Sequence, residues 1–108
     1  MSRRLDVIDE KIPEEEVIDI ADFFKMFSDP TRLKILYLLD ENGEVGVGAI
    51  AESLGMSQSA ISQQLKVLRA SRLVRFKKNG RSIIYRLSDE HIHGILMLGQ
   101  EHYEELLS

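Results

Sequence analysis

The chain has 108 residues, 44% of them apolar, no cysteine, and a net charge of −4 from 14 Lys/Arg and 18 Asp/Glu. That length suits one domain with a modest core, for which pairing with a second copy is unsurprising. The missing cysteines exclude disulfides, thiolate metal sites and cysteine nucleophiles; no apolar run approaches the roughly 18 residues of a membrane span, the segment Met1–Asp6 lacks the apolar stretch of a signal peptide, and a soluble cytoplasmic protein is the expectation.

Residues 1 to 13 are mostly charged and end in Pro13, so a flexible tail is expected ahead of a single domain over residues 14 to 108. Glu14, Glu15 and Glu16 open a helix, with acids at the positive end of its dipole. Val17, Ile20, Ala21, Phe24 and Phe27 follow at helical spacing, a stripe for the core or for a dimer partner. Ser28-Asp29-Pro30-Thr31 is a helix start, because Asp29 or Ser28 can cap and proline suits the first helical position. The helix from Thr31 to Asp40 is apolar almost all round, through Leu33, Ile35, Leu36, Leu38 and Leu39, and is therefore central; Asn42-Gly43 ends it. Glu44-Val45-Gly46 reads as a short strand. Val47 to Leu54 reads as a short helix with Ile50, Ala51 and Leu54 inward, stopped by Gly55.

Ser57 caps the next helix, which has two unlike faces. Ile61, Leu65 and Leu68 lie on one; Ser59, Ser62, Gln63 and Lys66 lie on the other. A short helix, a glycine-containing turn and a second helix with a polar outer face make a helix-turn-helix pattern. Two β-rich runs follow, Leu73–Lys77 and Ser82–Leu87, joined by Lys78-Asn79-Gly80-Arg81, and Asn-Gly is a strong hairpin signal. The expected fold class is mainly α with a small β-hairpin, a winged helix-turn-helix. Ser88 is expected to cap a last helix, Asp89 to about Leu107, with the stripe Ile92, Ile95, Leu96, Gly99, Tyr103 and Leu106. An apolar stripe on a terminal helix wants a partner, so the first and last helices are expected to form a two-fold homodimer interface. Gly94 and Gly99 lower helix stability by roughly 1 kcal/mol each relative to alanine, a cost explained by the close approach of another backbone.

Charge separates the two halves of this pattern. The window Ser53 to Ser88 holds no acid, although an even spread of the chain's 18 acids would put about six there; it carries 8 of the 14 basic residues. An acidic chain with one acid-free basic region points to a polyanion, and next to a recognition-type helix and a cationic wing that polyanion is double-stranded DNA. Ser57, Gln58, Ser59, Ser62 and Gln63 are placed to meet the duplex at the helix start, Gln and Ser being able to read base edges. Lys66, Lys77, Lys78 and Arg81 are expected at phosphates. No nucleophile–base set and no phosphate-cradling glycine loop is present, so an enzyme is not expected.

The run Phe27-Ser28-Asp29-Pro30-Thr31-Arg32-Leu33-Lys34-Ile35-Leu36, the run Leu54 to Leu68, Leu73-Val74 and Gly80 to Leu87 together resemble the ArsR/SmtB family of metal-responsive bacterial repressors. The likeness covers residues 17 to 106. It implies a homodimeric winged-helix repressor that leaves its operator when an inducer binds. Asp89-x-His91, ten residues, His102-x-x-Glu105 is similar to the C-terminal-helix zinc site of zinc-sensing members. On one helix His91 and His102 are about 20° apart around the axis and about 16 Å apart along it, too far to share an ion. Two such helices lying antiparallel across a two-fold axis would bring Asp89 and His91 of one copy to His102 and Glu105 of the other. Two imidazoles and two carboxylates suit four-coordinate Zn(II), with Co(II) as substitute. His93 lies on the far side and is left out. The cysteine-based sites of other members, and with them thiolate sensing of arsenic, lead or cadmium, do not fit this chain. The alternative is a metal-independent winged-helix regulator answering to a small molecule or a protein partner.

Overall fold

In the computed structural model, which describes residues 11–108, the order is α1 (Glu14–Lys25), α2 (Pro30–Asn42), β1 (Val45–Gly46), α3 (Val47–Leu54), α4 (Gln58–Ala70), β2 (Val74–Asn79), β3 (Ser82–Leu87) and α5 (Glu90–Leu107). The expected tail over residues 1 to 13 lies outside the described residues, apart from its last three.

Helix α2 forms as its residues dictate. Asp29 caps it, its carboxylate accepting the Arg32 N–H at 3.0 Å, and Pro30 occupies the first turn. Ser28, the other candidate cap, instead donates its hydroxyl to the Lys25 carbonyl at 2.7 Å and closes the preceding helix. The helix runs two residues past Asp40 and stops at Gly43, whose φ of 84° a side chain resists. Ile35, Leu36 and Leu39 of α2 pack with Ile50 of α3, Ile61, Leu65 and Leu68 of α4, and Leu73, each at most 1% exposed. Full burial of each such side chain stabilises the fold by about 1.5–3 kcal/mol over exposure.

The turn between α3 and α4 is short because Gly55 takes φ 66° and the Met56 N–H reaches back to the Ala51 carbonyl at 3.0 Å. That pairing satisfies a terminal carbonyl of α3 and turns the chain at once. Ser57 then caps α4, its hydroxyl accepting the Ala60 N–H at 3.1 Å. The same closure recurs at the far end of α4, where the Leu73 N–H bonds the Leu68 carbonyl at 2.9 Å and Arg72, not a glycine, holds φ 63°.

The hairpin is longer than the sequence implied. β2 continues to Asn79, which pairs with Ser82, so the connecting residues are Gly80 and Arg81 alone. Gly80 has φ 66° while Arg81 does not share a positive φ, the pattern of a type II′ turn with glycine first. The sheet order is β1-β3-β2, the two residues of β1 pairing antiparallel with Tyr85 and Ile84.

The terminal helices differ from this interior. α1 buries none of its residues; Val17, Ile20 and Phe24 are 41%, 45% and 53% exposed. On α5, Ile92 and Leu96 are buried, whereas everything from Met97 onward is exposed, including Leu98 at 68%, Tyr103 at 60% and Leu106 at 69%. The stripe on α5 is therefore half used within the chain. Among the described residues a Cβ at Gly94 or Gly99 would meet nothing within 4 Å, so no described backbone accounts for either glycine. The radius of gyration, 16.8 Å, exceeds the about 13 Å expected of a compact chain this long. Asp89, not Ser88, caps α5, its carboxylate accepting the His91 N–H at 2.9 Å. Among the described residues no helix is long and apolar enough to cross a membrane.

Candidate nucleic-acid interface and sensor helix

Helix α4 is anchored by its buried apolar face, Ile61, Leu65 and Leu68, so its opposite face is turned outward. Gln58, Ser59, Ser62, Gln63 and Lys66 are all exposed there, alongside the capping Ser57. Gln58, Ser62 and Arg81 share the lining of one cleft of about 510 Å³ between the start of α4 and the wing, with the stretch Gly46–Ala49 and Ser82 and Ile83 of β3. A Cβ at Gly48 would stand 3.5 Å from the Gln58 amide nitrogen, in ordinary van der Waals contact, so Gly48 and Gln58 are neighbours across this cleft.

The basic residues are not equivalent. Lys77 Nζ lies 3.3 Å from Glu44 Oε1, both well exposed, so this candidate phosphate contact has a partner in the free chain. Such an exposed pair contributes little, about 0–1 kcal/mol, and can be exchanged for another anion. Among the described residues no carboxylate lies within ion-pair distance of Lys78 or Arg81. At the other end of α4 the Arg69 guanidinium sits over the Phe76 ring, 4.1 Å from its centroid, and ties the helix to β2. Sequence reasoning gave Arg69 no role beyond its charge.

On α5 the four candidate ligands fall at two ends. Asp89 Oδ1, already accepting the His91 N–H, is also 3.4 Å from His91 Nδ1, and the His91 side chain is 89% exposed. His102 and Glu105 lie exposed on the last turns. Within one chain, and among the described residues, no three potential ligands cluster. Each end nevertheless offers an imidazole and a carboxylate on open surface, and such donors fit divalent zinc. His93 points elsewhere, its Nδ1 lying 2.7 Å from Asp40 Oδ1 on α2. Sequence reasoning missed this contact, as it missed Arg32, which donates to the carbonyls of Met26 at 3.1 Å and Lys25 at 3.3 Å and to Gln64 of α4 at 3.4 Å.

A helix-turn-helix with a cationic wing and an acid-free outer face defines the winged-helix class of transcriptional regulators. Comparison narrows the class. Residues 29–75 match the family described as "Bacterial regulatory protein, arsR family". The chain is 33% identical over 91 residues to the "Transcriptional repressor SmtB homolog" of Synechocystis sp., covering 84% of this chain and 68% of that one. It is 35% identical over 86 residues to the "HTH-type transcriptional regulator KmtR" of Mycobacterium tuberculosis, covering 80% of this chain but only 65% of that one. Its fold is similar to a homodimeric winged helix-turn-helix DNA-binding domain from Mycobacterium bovis solved in solution, with TM-score 0.82, 28% identity, and 91% and 90% of the two chains covered. The chain belongs to the ArsR/SmtB family of bacterial transcriptional repressors. It is a regulator and not an enzyme.

Proposed function

We propose that the protein is a homodimeric, cytoplasmic repressor that binds an operator in double-stranded DNA and releases it when zinc binds between the C-terminal helices. The observation that carries this is the Asp89–His91 contact at the start of α5, with His102 and Glu105 exposed three residues apart at its other end, on a helix whose distal half is uncovered by the described residues of its chain. A second copy laid antiparallel would cover Tyr103 and Leu106 and complete two four-ligand sets at once. A zinc ion there would cross-link Asp89 and His91 of one copy to His102 and Glu105 of the other.

The chain's own residues do the rest. Two copies of α4 enter successive major grooves, about one helical turn apart. Gln58, Ser59, Ser62 and Gln63 meet base edges, and Lys66, Lys77, Lys78 and Arg81 meet phosphates. Metal lowers DNA affinity only if it binds the free dimer more tightly than the DNA-bound one, and the effect is reciprocal. The test is fluorescence anisotropy of a labelled duplex from the upstream region of the protein's own gene, with added zinc and with chelator. Zinc should weaken binding, within the 5–150-fold range typical of coupled sites; equal affinity in both conditions would rule the reading out.

One feature favours a second reading. An apolar groove of about 410 Å³ runs between α2 and α5, lined by Phe27, Leu33, Tyr37, Ile95, Leu96 and Tyr103. A small apolar molecule seated there would act on the same helix without metal. Metal content of chelator-free protein and a Co(II) absorption titration separate the two readings.

A further inference from the structure

Among the described residues, the polar contacts that join α5 to the rest of its chain all go to α2. The Tyr37 hydroxyl donates to the Leu96 carbonyl at 3.3 Å, and His93 Nδ1 meets Asp40 Oδ1 at 2.7 Å. Tyr37 and Asp40 are three residues apart on α2, and His93 and Leu96 are three apart on α5, so one turn of each helix meshes with the other. The Asp40 side chain is only 17% exposed, which fixes the acceptor. His93 can donate from Nδ1 as the neutral tautomer or as imidazolium, so the joint does not depend on its charge.

The opposite end of α2 carries a second joint. Arg32 spreads its guanidinium over the last carbonyls of α1 and the Gln64 side chain of α4. Eight residues, about 12 Å of helix, separate Arg32 from Asp40. Between them Ile35, Leu36 and Leu39 are locked in the core. A close-packed helix of this kind moves as a rod rather than bending.

We propose that α2 is the rod through which a metal bound on α5 re-aims the recognition helix, with Asp40–His93 as the joint on the sensing side and Arg32–Gln64 as the joint on the reading side. This rests on the reading that metal at α5 weakens DNA binding. His93 lies two residues from His91 and about 160° around the helix from it. A rotation of α5 that carries His91 into a ligand set therefore also shifts His93 against Asp40. All four are positioning residues; none touches metal or base.

The test is the ratio of DNA dissociation constants with zinc and with chelator, measured by anisotropy on the full-length dimer. Asp40→Ala and His93→Ala should each reduce the wild-type ratio by at least about threefold, with metal-free DNA affinity and zinc affinity, the latter read by Co(II) displacement, unchanged within about twofold. The double variant should lose no more than either single one, as members of one joint do. His93→Asn, whose amide N–H lies close to the position of imidazole Nδ1–H, should restore the ratio. On the reading side Gln64→Leu should lower the ratio in the same way, and it probes that joint without disturbing the Arg32 contacts to α1. A wild-type protein that responds while the alanine variants keep its full ratio overturns the relay alone. A ratio that falls only with zinc affinity or with metal-free DNA affinity also overturns it. A wild-type protein indifferent to zinc overturns the functional reading and the relay with it.

Discussion

The face built from α4 and the wing differs in both charge and packing from the terminal helices α1 and α5. The first holds no acid from Ser53 to Ser88 and rests on Ile61, Leu65 and Leu68, all fully buried. Helix α5 with its cap carries five acids and no Lys or Arg, and the two terminal helices leave Phe24, Leu98, Tyr103 and Leu106 more than half exposed. The difference shows how one small chain divides its work. The part that reads a rigid ligand is finished within the chain, with its side chains aimed before binding. The part proposed to join copies and to sense metal is left uncovered by the described residues of its chain.

The sharpest way to break this contrast is to make the same kind of substitution on both sides. Leu65→Ala should destabilise the fold by about 2–5 kcal/mol, read as a loss of thermal and denaturant stability. Leu106→Ala should cost the folded chain little and instead move the monomer–dimer equilibrium toward monomer in sedimentation; equal effects in both assays would erase the distinction. His102→Ala should leave metal-free operator affinity unchanged while abolishing the zinc response, and retained release by zinc would remove this residue from the sensor. Gln63→Ala should weaken specific DNA binding by about 1–3 kcal/mol with non-specific binding nearly unaffected; an equal loss on both would make Gln63 a positioning contact. Lys78→Ala with Arg81→Ala should lower the salt slope of DNA binding by about one per lost phosphate contact, and an unchanged slope would take the wing off the duplex. The smallest effect is expected for Ser57→Ala, about 1 kcal/mol of stability from the lost cap of α4.

Much of the finished half was legible in the chain because its signals are local. Gly55 and Ser57 mark the turn and the cap within three residues, and Asn79-Gly80 marks the hairpin. Where two adjacent residues competed for one task, local pattern was ambiguous: Asp89 rather than Ser88 caps α5, and Gly80-Arg81 rather than a longer loop closes the wing. The candidate site was legible as a set of residue types, and the structure adds the contact between Asp89 and His91. Non-local polar contacts were not legible. Arg32 stood inside a recognised motif, yet nothing near it in sequence indicates Gln64, and nothing near His93 indicates Asp40, 53 residues earlier. Such pairs arise only once the core has set the distances between helices.

The uncovered end of α5 has a consequence for how the regulator persists in a cell. The stretch of α5 from Met97 onward buries nothing and gains little against chain entropy, so in a lone copy its last two turns are expected to open more readily than the rest and present cleavable backbone. Covering that stretch removes it from the reach of proteases. Single chains are therefore expected to be cleaved faster than paired ones, a difference that limited proteolysis across a dilution series would read.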